Sequence, residues 1–214
     1  MKKQAGFTLI ELAIVLVIIG LLLGGVLKGQ ELINSAKVKN MASDFKNIQV
    51  YIYGYQDKYK ALPGDDAAAN THLTGGTVAT TPGAATLRGN AIIEGQWNST
   101  TVTDESYLFW QHVRLAGLAA GSTTTGTAEY IPRNADSGRL GVQSVSTLTA
   151  VTGMTGAYAI CSGGILGRFA KQLDNTLDDG VGNTGSLRAV VDLTPSAGVA
   201  TPDDSTPYVV CLGF

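Results

Sequence analysis

The sequence is poor in charge, and this scarcity narrows the functions it can serve. Charged residues make up 15 % of the chain, against about 25 % in typical soluble domains. The 15 basic and 17 acidic residues give a net charge of −2. Nucleic-acid binding needs a concentrated cationic surface, so no nucleic-acid partner is expected. The arginines are scattered along the chain, at Arg88, Arg114, Arg133, Arg139, Arg168 and Arg188.

Patterns typical of catalysis are equally scarce. The two histidines, His72 and His112, stand neither beside a suitable nucleophile nor at metal-ligand spacing, and no phosphate-binding Gly-Lys motif occurs. Packing or a surface position is the expectation for Trp110 and His112. The sequence therefore predicts a protein that is not an enzyme, with a membrane-anchored enzyme as the alternative.

Cysteine is limited to Cys161 and Cys211, 50 positions apart. Outside the cytoplasm they are expected to form one disulfide, and closing a loop of about 50 residues is worth about 4 kcal/mol in the chain-entropy model. Two buried free thiols are the alternative. The apolar segment at the N-terminus favours the disulfide, because it indicates export of the rest of the chain.

That apolar segment runs from Phe7 to Leu27, and Glu11 is its only charged residue. About 20 apolar residues in a helix span the roughly 30 Å hydrocarbon core of a bilayer, so we predict a transmembrane segment at 7–27. A secretory signal has a shorter apolar region followed by a cleavage site. An acid within such a segment is costly and usually marks function. A new amine, made by cutting the chain before Phe7, could serve as the partner of Glu11 on a neighbouring helix.

The motif Gly6-Phe7-Thr8-Leu9-Ile10-Glu11-Leu12, behind a short leader with two lysines, resembles the processing and methylation motif of type IV pilins and type II secretion pseudopilins. The resemblance implies that prepilin peptidase removes the leader, residues 1–6, by cutting between Gly6 and Phe7, and then methylates the Phe7 amine. It also implies that Glu11 pairs with the N-terminal amine of an adjacent subunit during assembly.

A single long helix is predicted at 7–60, because no proline precedes Pro63 and Pro63-Gly64 then supplies a stop. Its second half carries apolar residues spaced alternately by four and three, which places them on one face. These residues are Met41, Phe45, Ile48, Ile52, Tyr55, Tyr59 and Leu62.

Residues 61–214 are predicted to form a globular domain. A short amphipathic helix is expected at 104–118, with Asp104 able to cap its start and Gly117 near its end. A second helix is expected within 164–180. Strands are predicted at 140–151, 157–162, 187–193 and 208–214. The predicted fold class is α+β, a long helix packed on an antiparallel sheet as in pilins, and a disulfide would tie the last strand to the second.

Asp174, Asp178 and Asp179 gather beside Gly180. Hard oxygen donors around a glycine turn suit Ca²⁺, but their spacing differs from the EF-hand pattern. A solvated turn after a helix explains them without an ion. No cofactor is therefore expected, and calcium is the alternative at this turn.

The expected function is that of a structural subunit of a type IV pilus, serving adhesion, motility or related surface functions. The resemblance implies an inner-membrane prepilin that meets prepilin peptidase and the assembly platform. It then polymerises with itself and other pilins into an extracellular filament. The alternatives are a minor pilin, a pseudopilin of a periplasmic secretion pseudopilus and, less favoured, a DNA-binding competence pilin.

Overall fold

The structure, a computed structural model, describes residues 9–81, 83, 85–191 and 195–214. Its first element is the helix α1, Leu9–Tyr59, of 51 residues, so the predicted long helix is confirmed over the described range. The contacts divide the chain into two units, one ending at Lys37 and one comprising Val38–Phe214. Each is described by itself.

In the first unit, every described residue from Leu9 to Lys28 is exposed. In the second unit, one face of α1 is buried in the core. Its buried residues are Val38, Met41, Ala42, Phe45, Ile48, Ile52 and Tyr55. The predicted stripe is thus buried, except that Tyr59 is only half-buried. Leu62, 3 % exposed, joins the core beyond the end of the helix.

Four strands form one antiparallel sheet: β1 is Leu140–Ser144, β2 is Tyr158–Leu166, β3 is Leu187–Val190 and β4 is Pro207–Gly213. Their order is β1-β2-β4-β3, and every pair is antiparallel. The chain's last strand therefore lies inside the sheet, between β2 and β3. The expected α+β class, a long helix followed by an antiparallel sheet, is confirmed.

The predicted strand at 140–151 is too long. It ends at Ser144 and is followed by a 3-10 turn at Val145–Thr147. The Ser144 side chain accepts a hydrogen bond from Ile93 N–H at 2.8 Å, and Val145 N–H donates to Ala157 O at 3.0 Å. The Ile93 contact comes from outside the sheet, whereas the Val145–Ala157 bond continues the β1–β2 register for one more residue before the turn.

Three further helices complete the second unit: α2 is Ala69–His72, α3 is Glu105–Leu115 and α4 is Gly167–Leu177. Asp104 occupies the position before α3 but makes no cap with its side chain. Its carboxylate instead accepts the Ser99 hydroxyl at 2.5 Å. Gly117 does end the helix: its φ is +77°, and Leu118 N–H returns to Val113 O at 2.9 Å, the pattern of a Schellman motif.

The two faces of the sheet bury different residues. Ile160, Val210 and Leu212 join the main core with α1, α3 and α4. Cys161 and Cys211 lie on the opposite face, in a smaller apolar cluster with Trp97. Side chains alternate between faces along a strand, so both faces of the central strands are covered.

Candidate functional site

The first candidate site is the start of α1. Gly6 and Phe7, the predicted processing residues, lie outside the described residues. Glu11 lies in the first turn of α1, where a carboxylate is stabilised by the helix dipole. Around it the helix presents only exposed side chains, and the exposed fractions of the apolar ones include 89 % for Leu9 and 68 % for Ile10.

Among the described residues, α1 is long and apolar enough to cross a membrane. None of its most apolar 18-residue window is buried within the protein. Such a surface is stable only in lipid or against other apolar helices. The helix therefore fits a membrane anchor that also serves as an assembly surface.

The predicted disulfide between Cys161 and Cys211 is present. The two cysteines are direct partners in the register of β2 and β4, and both are fully buried. The bond joins the C-terminal strand to its neighbour across a closed loop of about 50 residues. A disulfide of this kind is typical of exported domains.

His112 holds the segment after α1 against α3. Its Nδ1 accepts Gly64 N–H at 2.9 Å and its Nε2 lies 2.8 Å from Thr77 O. Burial lowers the pKa of His112, although the contact with Thr77 O opposes it, so the ring is neutral. A Cβ at Gly64 would lie 2.4 Å from Glu105 O, and its φ is +95°. The His112 contact fixes Gly64 in place between α1 and α3.

Asp66 forms a second anchor for the same segment. Its Oδ2 accepts the Tyr55 hydroxyl at 2.7 Å and lies 2.7 Å from His72 Nδ1, while its Oδ1 accepts Ala68 N–H. Burial alone would raise the pKa of Asp66, but these hydrogen bonds outweigh burial and lower it. The carboxylate is therefore ionised, and it fixes the loop to α1.

Asp65, Glu94 and Glu105 form a cluster in which one oxygen from each carboxylate lies within 4.8 Å of the others, with Asp65 and Glu105 buried and Glu94 half-buried. Asp65 accepts N–H groups of Gly89 and Ala91, and burial raises its pKa to about 6. Burial, and then the neighbouring Glu94 carboxyl, raise the pKa of Glu105 to about 9. The raised pKa of Glu105 keeps a proton on that carboxyl at neutral pH, and a hard divalent cation would also fit the donor set. Their sequence spacing does not indicate the cluster.

Asp174, Asp178 and Asp179 are brought together as the sequence suggests, with oxygens within 4.8 Å of one another. Each also accepts a hydrogen bond from the following turn: from Gly180 N–H at 2.8 Å, from Leu187 N–H at 2.7 Å and from Val181 N–H at 2.9 Å respectively. Burial raises the pKa of Asp174. These acids could hold a metal ion, and they also shape the turn that leads into β3.

The exposed apolar start of α1, with Glu11 as the one acid of residues 9–27, and the antiparallel sheet with a C-terminal disulfide fit a pilin-like, membrane-anchored protein. Residues 1–27 match the family model described as the prokaryotic N-terminal methylation motif, the signature of type IV pilins and pseudopilins. No curated protein and no solved structure matches the chain significantly. The motif supports a pilin-like or pseudopilin-like substrate of prepilin peptidase.

Proposed function

We propose that this chain is a structural subunit of a type IV pilus. The observation that carries the proposal is the first half of α1. Its residues 9–28 are all exposed and are apolar except for Glu11 and Lys28, and residues 9–27 lie within the matched methylation motif. Such a helix is suited first to a bilayer and then to packing against copies of itself, since both environments bury apolar surface.

Glu11 is the assembly residue in this proposal. Prepilin peptidase cuts between Gly6 and Phe7 and methylates the new amine of Phe7. In a filament, that amine on one subunit meets the Glu11 carboxylate of its neighbour. A charge buried in an apolar medium is tolerated only with a partner, so Glu11 selects the register in which the subunits pack.

The role is structural, not enzymatic, and it requires no cofactor. The partners are prepilin peptidase, the inner-membrane assembly platform, further copies of the chain and other pilins. The chain begins as a single-pass inner-membrane protein and ends in an extracellular filament for adhesion or motility. The buried Cys161–Cys211 disulfide supports the exported location.

Mass spectrometry of filaments sheared from cells tests the proposal. The expected result is that the dominant protein begins at a methylated Phe7. The same processed peptide confined to the membrane fraction would instead assign the chain to a secretion pseudopilus, and a trace amount in the filaments would make it a minor pilin. An uncut Met1 would refute the prepilin assignment.

The variant Glu11→Ala tests the charge pairing itself. Cleavage and membrane insertion should remain intact, while incorporation into filaments should fall sharply because the amine loses its partner. Glu31→Ala is the matched control. It removes an acid of the same helix whose side chain is exposed and pairs with Lys28. Normal filament yield from Glu11→Ala would contradict the pairing.

A further inference from the structure

Two arginines of the second unit are held side by side by the backbone. Arg133 and Arg139 are partners in an isolated antiparallel bridge. Leu140 N–H donates to Pro132 O at 3.1 Å and Asn134 N–H donates to Gly138 O at 2.8 Å, so the hydrogen bonds flank the arginine pair. In such a non-hydrogen-bonded pair the Cα atoms are about 4.5 Å apart and the side chains are closest. Like charges directly opposite each other there are destabilising.

Both arginines bind backbone carbonyls. Arg133 Nη1 donates to Ser137 O at 2.7 Å, and Arg139 Nη1 donates to Asn98 O at 3.2 Å. Each of these bonds uses one of the five N–H groups of a guanidinium. Further N–H groups of both side chains can therefore serve an acceptor from outside.

Both guanidinium-bearing residues line one cavity of about 280 Å³. Thr100 and Tyr107 also line it, and no acidic residue does so among the residues described. The Tyr107 hydroxyl already accepts Gly126 N–H at 2.9 Å, which leaves its own hydrogen free to be donated. The cavity thus combines two cations with a hydroxyl donor.

We propose that this cavity, which we call the Arg133–Arg139 cavity, binds a phosphate or sulfate monoester on a molecule the size of a monosaccharide. Guanidinium groups bind tetrahedral oxyanions through two parallel hydrogen bonds. A phosphate monoester, with a charge near −2, offsets both positive charges that the bridge forces together, and a sulfate monoester offsets one of them. The cavity volume lies near the lower limit of small-molecule sites. The oxyanion alone would not fill this volume, so the rest of the cavity is available to the molecule that carries it.

Isothermal titration calorimetry on the full-length chain in detergent, in a phosphate-free buffer of low ionic strength, tests the proposal. The probes are glucose 6-phosphate, glucose 6-sulfate and glucose. At least one ester should bind, and glucose should bind at least tenfold more weakly. The ester that binds more tightly identifies the oxyanion as a phosphate or a sulfate. Binding of neither ester, or of glucose as tightly as the esters, would overturn the proposal.

Matched variants locate the site. Arg133→Gln and Arg139→Gln should each weaken ester binding at least tenfold. Arg139→Lys keeps the charge but loses the two parallel N–H donors of the guanidinium, so its affinity for the ester should lie between those of the native chain and Arg139→Gln. Arg168→Gln is the control: it removes one exposed cation that lies over Phe169 and does not line the cavity. An equal loss in Arg168→Gln would show non-specific charge attraction and overturn the site.

The melting temperature without ligand supplies a second readout. If the arginine pair is a ligand site, removing one charge relieves repulsion, and the melting temperature of Arg133→Gln should be unchanged or higher. Ester should raise the melting temperature of the native chain and not that of the variant. A lower melting temperature with unchanged ester binding would show that the arginines only support the bridge, and the proposal would fail.

Discussion

The replacement Glu105→Gln tests whether the buried carboxylate cluster is held together by protons. Glu105 is 1 % exposed, and its Oε2 accepts Glu94 N–H at 2.8 Å. Its pKa rises from 4.5 to about 9 because of burial and, next, the Glu94 carboxyl. Glutamine has the same shape, cannot ionise, and can both accept the Glu94 N–H bond and donate to the Glu94 carboxylate.

The sign and size of the effect follow from proton linkage. Between pH 5 and 8 the folded chain keeps a proton on Glu105 that the unfolded chain has lost. The free energy of unfolding therefore falls as pH rises, by up to about 1.4 kcal/mol per pH unit from this group. Glu105→Gln removes that contribution. The stability of the variant relative to the native chain should increase by about 4 kcal/mol over the three pH units.

Urea unfolding followed by circular dichroism measures this difference. The fragment 38–214 is suitable, because every residue of the described buried core lies within it. EDTA keeps divalent cations away from the three carboxylates. Glu129→Gln, at an exposed acid, is the control and should show no such trend. A stability difference for Glu105→Gln that stays constant from pH 5 to 8 would mean that Glu105 is ionised in the fold and would refute the reasoning.

Three other predictions concern the second unit and use the same unfolding assay. Replacing both Cys161 and Cys211 by alanine should lower the free energy of unfolding by about 4 kcal/mol, and an unchanged urea midpoint would contradict a stabilising bond. Asp66→Asn should cost about 1.5 to 3 kcal/mol at pH 7, because charged hydrogen bonds are lost. The lowered pKa of Asp66 stabilises the fold above about pH 4, and this stabilisation is lost as pH falls through the pKa of Asp66 in the folded chain. The stability difference between Asp66→Asn and the native chain should therefore shrink in acid. A difference that does not depend on pH would contradict this. Gly64→Ala should destabilise more than Gly75→Ala, since both have positive φ but only at Gly64 does a Cβ meet backbone; equal losses would show that the clash with Glu105 O relaxes.

Patterns within one stretch of chain predicted the elements well. The alternating spacing of Met41, Phe45 and Ile48 predicted the buried face of α1, because neighbours on a helix face are three or four residues apart. The Schellman end of α3 at Gly117 was likewise visible, since glycine adopts positive φ without strain. These features depend on residues close together in sequence.

Boundaries set by distant residues were predicted less well. The strand β1 ends at Ser144, where Ile93 N–H donates to the Ser144 side chain and Ile93 O accepts Ser144 N–H. Asp104 makes no helix cap because Ser99 provides a competing donor. In both cases the local sequence favours the predicted structure, and a contact from another segment outweighs that preference.

The sequence by itself determined the features of the N-terminal segment. The methylation motif, the apolar run and the acid at Glu11 are all properties of consecutive residues. Only the tertiary structure decided which chemical groups meet in the second unit. The carboxylates of Asp65, Glu94 and Glu105 and the facing pair Arg133 and Arg139 arise from strand register and loop closure. The physical reason is that a charge's neighbours depend on which segments pack together, and packing is settled by burial across the whole core.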